Sequence, residues 1–146
     1  MSEIRKESAK KLITKGLEGE ENGSLSEMFK GADGEKTEVY LTVTLPGAFK
    51  GYHFHKVRMS RFFCLKGEVK VTTYERKDDK WVKREFILDG ENPERLIIPA
   101  GVATGIDNIG EDEAWLVNYP DPPYDPELKD EQIEYTKEEL ENGIVK

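Results

Sequence analysis

Residues 47–67 read GAFKGYHFHKVRMSRFFCLKG, and residues 98–108 read IPAGVATGIDN. In the first stretch we single out Gly47, His53, His55, Ser60 and Gly67, which are separated by five, one, four and six residues. In the second stretch we single out Pro99, Gly101, Thr104 and Asn108, which are separated by one, two and three residues. Apolar and β-branched runs that end at glycine or proline are typical of short strands joined by turns. Both stretches therefore predict β-structure.

The rest of the central region, about residues 37 to 119, has the same character. Four further runs are rich in strand-forming residues, namely TEVYLTVTL at 37–45, EVKVTTYE at 68–75, WVKREFIL at 81–88 and EAWLVNY at 113–119. Several short strands at near-regular spacing predict an all-β antiparallel sandwich or barrel. Within it, the residues predicted to lie in the core are Phe62, Cys64, Trp115 and Leu116.

A single domain is expected over residues 1–146, with its core at about 37–128 and a tail at 129–146. The N-terminal segment is predicted to add an edge strand or to cross to a partner subunit, because an open sheet edge invites pairing. In the tail, Thr136 is placed as a helix N-cap with Glu139 at the capping-box position. The termini are therefore expected to be short helical or irregular segments.

His53 and His55 are separated by one residue, so on a strand their side chains point to the same face. Two imidazoles on one face are suited either to binding a transition metal or to acid–base chemistry. A stable metal site usually has a third or fourth protein ligand. The histidine pair leaves both readings open.

The two spacings resemble the cupin motifs G-x5-H-x-H-x4-E-x6-G and G-x5-P-x-G-x2-H-x3-N. This resemblance implies a double-stranded β-helix, or jelly-roll barrel, with the histidines facing a cavity. Two of the four positions that bind metal in cupins differ, since Ser60 replaces the Glu and Thr104 replaces the third His. No metal and no cofactor are therefore expected.

Within the cupins, three segments resemble members that act on sugar nucleotides. GYHFHK at 51–56 is similar to a segment of the dTDP-sugar 3,4-ketoisomerases and equally to one of dTDP-4-dehydrorhamnose 3,5-epimerase. IPAGVATG at 98–105 and YPDPPYDPE at 119–127 resemble later segments of that epimerase and of the C-terminal cupin domain of capsule-sugar reductases. The resemblance implies proton abstraction next to the keto group of an NDP-4-keto-6-deoxyhexose. The alternative is a non-catalytic or metal-binding small-molecule cupin.

Roles for individual residues come from the same resemblance. His53 matches the catalytic base, and His55 matches a second base or acid. Tyr119 matches the acid, although Asn118 competes for that position. Arg61 matches the group that holds the enolate. The residues expected to bind the substrate are Lys56, Arg58, Thr104, Asn108 and Tyr124. The carboxylate that orients the base in the epimerase has no clear match, because Glu134, Tyr135 and Thr136 occupy that region. Without such a group, His53 would be a weaker base.

Charge and cysteine content limit the remaining possibilities. The net charge is −8 over 146 residues, and a chain without a basic run is a poor candidate for binding nucleic acid or an anionic membrane. No apolar stretch is long enough for a membrane span, and there is one cysteine, Cys64. A cytoplasmic protein is expected. The resemblance implies a homodimer that binds a nucleotide sugar.

Overall fold

The computed structural model describes residue 6 and residues 10–30, 38–122, 125–128 and 131–146, without the side chains of 28–30. The described strands are β1 (Lys11–Lys15), β2 (Glu21–Lys30), β3 (Glu38–Thr44), β4 (Phe49–His55), β5 (Ser60–Lys66), β6 (Glu68–Lys77), β7 (Lys80–Asp89), β8 (Arg95–Ile98), β9 (Val102–Asn108), β10 (Ala114–Asn118) and β11 (Gln132–Glu134). A five-residue helix, α1 (Lys137–Glu141), follows β11. The predicted all-β class is confirmed.

The strands form two antiparallel sheets that face each other. The six-stranded sheet has the order β1-β2-β3-β10-β5-β8, and the five-stranded sheet has the order β11-β4-β9-β6-β7. Strand β3 continues through a tight turn into β4, so the chain crosses from one sheet to the other at this point. β4, which carries the histidine pair, lies between β9 and the C-terminal strand β11.

The main core fills the space between the sheets. Its members come from β5 to β10, and in β5, β6 and β10 they are alternate residues, as expected where one face of a strand is buried. Its buried members are Phe62, Cys64, Val69, Val71, Leu88, Ile98, Val102, Ile106, Ala114 and Leu116. The prediction is confirmed for Phe62, Cys64 and Leu116. It is wrong for Trp115, which lies between two inward residues of β10 and so points outward, where the Lys66 ammonium lies 5.1 Å from the ring centroid.

A second apolar cluster covers the outer face of the five-stranded sheet. It joins Tyr52, Tyr74 and Ala103 of the sheet to Tyr135 and Leu140 of the C-terminal segment. The helix begins at the predicted N-cap, because the Thr136 hydroxyl accepts the Glu139 amide while the Glu139 carboxylate accepts the Thr136 amide. Strand β11 and helix α1 are thus anchored against the back of β4, which brings residues 131–134 beside the histidine pair.

The N-terminal segment forms a two-stranded ribbon that extends the six-stranded sheet. Strand β2 pairs with β3, and β1 pairs with β2 as the outermost strand. The predicted edge strand is confirmed, whereas the expectation of a helical or irregular N-terminal segment is wrong for the described residues, which form β1 and β2. The homodimer stays a prediction. Among the described residues, no helix has the length and apolar character required to cross a membrane.

Candidate functional site

His53 and His55 face the space between the two sheets. On β4, the intervening Phe54 packs into the outer aromatic cluster, so its two neighbours must point to the opposite face. His53 lies directly across from Thr104 on β9, and Thr104 in turn lies across from Thr73 on β6. Thr104 and Thr73 share their face with core residues of β9 and β6, so the histidines lie beside the apolar core, next to a row of polar side chains.

The first dyad joins His53 to Glu134. A carboxylate oxygen of Glu134 lies 2.7 Å from His53 Nδ1, and Gln132 Nε2 donates to Glu134 Oε1 at 2.6 Å. The register of β11 explains this contact, because Glu134 lies directly across from His53. The expectation that His53 has no orienting carboxylate is wrong. Glu134 is that group, on a strand too short to be read from periodicity.

The second dyad joins His55 to Glu131. His55 Nδ1 lies 3.0 Å from Glu131 Oε1, and the same oxygen accepts a hydrogen bond from Arg58 Nε at 3.0 Å. The other oxygen, Oε2, accepts the backbone amides of Val57 and Arg58 at 3.2 and 3.3 Å. The Glu131 carboxylate thus closes the turn after β4 and holds the imidazole at the end of that strand.

The two dyads differ in burial. The side chain of His53 is 43% exposed, whereas that of His55 is 19% exposed and Glu131 is 8% exposed. Burial lowers the pKa of His55. The Glu131 carboxylate raises that pKa and the Arg58 guanidinium lowers it, and the net change is a decrease. Although burial raises the pKa of Glu131, the hydrogen bonds from His55 and Val57 outweigh it and lower that pKa to about 2. His55 is therefore neutral, and Glu131 ionised, at neutral pH.

Arg61 and Tyr119, predicted as catalytic, lie elsewhere. Phe62 points into the core, so the neighbouring Arg61 leaves β5 on the outer face of the six-stranded sheet. There its guanidinium stacks over the Tyr119 ring at 4.0 Å, and its Nε donates to the Tyr119 carbonyl at 2.9 Å. The two residues contact each other on that outer face, on the opposite side of the sheet from the interior that the histidines face, and we do not retain the catalytic role predicted for them.

The residues predicted to bind the substrate do not lie together at one site. Thr104 lies beside His53, and Lys56 is exposed in the turn after β4. Arg58 instead belongs to the buried ion pair with Glu131, its side chain being 10% exposed. Asn108 is buried, donates to the Thr44 and Asp112 carbonyls and accepts the Gly110 amide, so it fixes the β9–β10 turn. Tyr124 lies outside the described residues.

The donor groups do not fit the metal that the cupin fold implies. Ser60 lies across from the core residue Ile98 and faces inward, as Thr104 does, so hydroxyl groups replace an anionic ligand and an imidazole at the two remaining positions. The carboxylates of Glu131 and Glu134 are directed at the Nδ1 atoms of the histidines. Within the described part of the chain, no three His, Cys, Asp or Glu side chains converge as a metal site would require.

Lys50 is a further interior group that sequence reasoning missed. It is 9% exposed on β4, and its Nζ donates to the Ser24 carbonyl of β2 at 3.2 Å. Burial lowers its pKa to about 8. Residues three apart on a regular strand face opposite sides, so periodicity alone would place Lys50 and His53 on different faces. The register of β4 against β9 shifts between these two residues, at Gly51, and both side chains therefore lie on the inner face.

Comparison with known proteins agrees with this architecture. The sequence pattern described as the polysaccharide biosynthesis C-terminal domain matches residues 18–132. The chain is 29% identical over 125 residues to a probable low-salt glycan biosynthesis epimerase, Agl13, of Haloferax volcanii, covering 80% of each protein. It is 30% identical over 90 residues to the spore coat polysaccharide biosynthesis protein SpsL of Bacillus subtilis, covering 60% of each.

Solved structures share the fold. The capsular polysaccharide assembling protein CapF of Staphylococcus aureus superposes with a TM-score of 0.69 at 22% identity, over 86% of this chain and 32% of CapF. This chain therefore spans about a third of that protein. An oxalate oxidase superposes with a TM-score of 0.54 at 21% identity, over 60% of this chain. These likenesses confirm the cupin fold, and the match over residues 18–132 shows that the chain belongs to the polysaccharide biosynthesis C-terminal domain family.

Proposed function

We propose that the protein is a sugar-nucleotide epimerase or isomerase that abstracts a proton next to the keto group of an NDP-4-keto-6-deoxyhexose. The His53–Glu134 dyad is the observation that carries this proposal, because a base held in position by a carboxylate is the central requirement of that chemistry. The name of the Haloferax relative, a probable glycan biosynthesis epimerase, supports the same reaction class.

In this proposal His53 carries out the first step. With Nδ1 donating to Glu134, the unprotonated Nε2 is on the opposite side of the ring and can take a proton from the carbon next to the carbonyl. Glu134 then stabilises the imidazolium that forms. The proposal gives Thr104, the residue directly across from His53, the role of donating a hydrogen bond from its hydroxyl to the developing enolate oxygen. Delivery of a proton from solvent to the other face of that carbon gives epimerisation. Delivery of a proton to the former carbonyl carbon, with loss of the hydroxyl proton from the first carbon as the carbonyl forms there, gives isomerisation.

A deuterium wash-in experiment tests the proposal. The protein is incubated in D₂O with dTDP-, UDP- and GDP-4-keto-6-deoxyhexoses, and incorporation is followed by mass spectrometry. We expect incorporation with at least one of them, and a decrease of about 100-fold or more in His53→Asn, the lower end for removing a general base. Lys80→Met, on the exposed start of β7, is the control variant. Exchange at near wild-type rate in His53→Asn would show that His53 is not the base.

One observation favours a second function. The groups expected to hold the enolate and to act as the acid, Arg61 and Tyr119, pack against each other on the outer face of the six-stranded sheet. A cupin that binds a sugar nucleotide without turning it over fits that arrangement. Binding of a sugar nucleotide in calorimetry, together with no deuterium incorporation from any of the three substrates, would favour it. Stoichiometric metal in elemental analysis would instead favour a metal-binding cupin.

A further inference from the structure

The carboxylate of Glu131 is bound from four directions. It accepts hydrogen bonds from the His55 imidazole, the Arg58 guanidinium and two backbone amides, and its side chain is 8% exposed. A carboxylate with this many donors is fixed in position and stays ionised. Glu131 therefore orients His55, and although its charge favours an imidazolium, burial of His55 and the Arg58 guanidinium lower the pKa of His55 on balance.

The distances around His55 determine its tautomer. Nδ1 lies 3.0 Å from the ionised Glu131 Oε1 and 3.5 Å from Arg58 Nη2. An ionised carboxylate only accepts hydrogen bonds, so the shorter contact requires a proton on Nδ1. In the neutral ring, Nε2 then carries a lone pair. The charged groups that face His55 are Glu131, Arg58 and the neighbouring His53.

The dyad of His53 differs in the partners of its carboxylate. Glu134 is half-exposed, and it also accepts a hydrogen bond from the uncharged amide of Gln132. Glu131, in contrast, is buried and shares its negative charge between His55 and the Arg58 guanidinium. The two histidines on one strand face thus have carboxylate partners of different burial and different hydrogen bonding.

We propose that Glu131 and Arg58 are positioning residues that fix His55 as a neutral imidazole with a proton on Nδ1, so that its Nε2 accepts a hydrogen bond from a hydroxyl of the bound sugar. This assigns different roles to the two histidines: His53 exchanges the proton on carbon, and His55 selects and orients the sugar. The assignment rests on the proposed function, because it requires a sugar in the cavity.

Nuclear magnetic resonance tests the tautomer without substrate. The chain has two histidines, so ¹⁵N-histidine labelling gives two rings, which His53→Asn assigns. In the wild-type protein we expect His55 to be neutral at pH 7, with a protonated Nδ1 and an unprotonated Nε2. Glu131→Gln should remove the preference for that tautomer and lower the pKa of His55, whereas Arg58→Met should raise it. Glu138→Gln and Arg95→Met, both at exposed positions, are the matched controls.

Opposite pKa changes at His55 follow from the charges of the two residues alone, so the readouts that a purely structural role would not change are the tautomer of His55 and the separate effects on KM and kcat. Arg58→Lys, which keeps the positive charge, is expected to keep the wild-type tautomer and serves if Arg58→Met does not fold. With a substrate that exchanges deuterium, Arg58→Met should raise KM about 3- to 10-fold, the range for one hydrogen bond, and change kcat less than twofold. An Nε2-protonated His55 in the wild type, or unchanged tautomers in Glu131→Gln, would overturn the inference. Absent exchange in the wild type would overturn the proposed function and leave the tautomer result valid.

Discussion

Replacing Lys50 by methionine should stabilise the protein at neutral pH. Lys50 is 9% exposed between the sheets, and its ammonium donates to the Ser24 carbonyl at 3.2 Å. Burial lowers its pKa from 10.5 to about 8, which means that the fold disfavours the charged form. Methionine has a similar length and no charge, and it fills irregular core space well.

The size of the effect follows from that shift. The pKa difference between 10.5 and about 8 corresponds to about 3 kcal/mol at pH values below both, since one pKa unit is about 1.4 kcal/mol. Loss of the hydrogen bond to Ser24 offsets about 1 to 2 kcal/mol, because a buried carbonyl is left without that donor. We therefore expect Lys50→Met to raise the free energy of unfolding by about 1 to 2 kcal/mol at pH 7.

The pH dependence supplies the sharper test. Between about pH 8 and pH 10.5 the unfolded chain keeps a proton on Lys50 that the folded protein has lost, so this residue makes wild-type stability rise with pH. The advantage of Lys50→Met should therefore be largest at pH 7 and should disappear or reverse by pH 10.5. Urea unfolding at both pH values measures it, with Lys80→Met as the exposed control. An equal difference at pH 7 and pH 10.5 would refute the reasoning.

Three further changes test other contacts. Asn108→Ala should lower the free energy of unfolding by about 1 to 3 kcal/mol in urea, because three backbone groups lose their partner. Gly105→Ala should lower the melting temperature, because a Cβ there would lie 2.7 Å from ring atoms of Phe49 and Tyr52; an unchanged value would contradict that packing. Glu131→Gln should flatten the loss of stability as pH falls from about 4.5 to about 2, since the wild-type pKa is held low in the folded state; an unaltered acid unfolding curve would show otherwise.

The all-β architecture could be predicted because it depends on local patterns. Alternation along β5 places Phe62 and Cys64 inward, and the capping box at Thr136 is a four-residue signal. The prediction that Trp115 lies in the core is wrong because it relied on the size and apolar character of tryptophan. The register of the strand, and not the residue type, sets which face a side chain points to. Leu116 occupies the inward position instead.

Only the part of the site that lies within one strand could be predicted from the sequence. The spacing of His53 and His55 within one strand is enough to place both on one face. Their carboxylate partners are 81 and 76 residues away in the sequence, so only the pairing of β11 with β4 brings them together. Asn108 fits the spacing of the second motif, yet its hydrogen bonds to three backbone groups make it a turn residue. A spacing fixes where a residue lies on the chain but not which atoms it meets.

The anchoring of residues 131–146 on the outside of the five-stranded sheet separates two kinds of stability. The core between the sheets does not include this segment, whose apolar contacts are with the outer cluster around Tyr52 and Tyr74. Local opening of such a peripheral unit requires less free energy than global unfolding. Release of the segment would withdraw both carboxylates from the histidines while the barrel stayed folded. Thermal inactivation would then precede the loss of β-structure, and a ligand that contacts both dyads would raise the temperature of the first event more than that of the second.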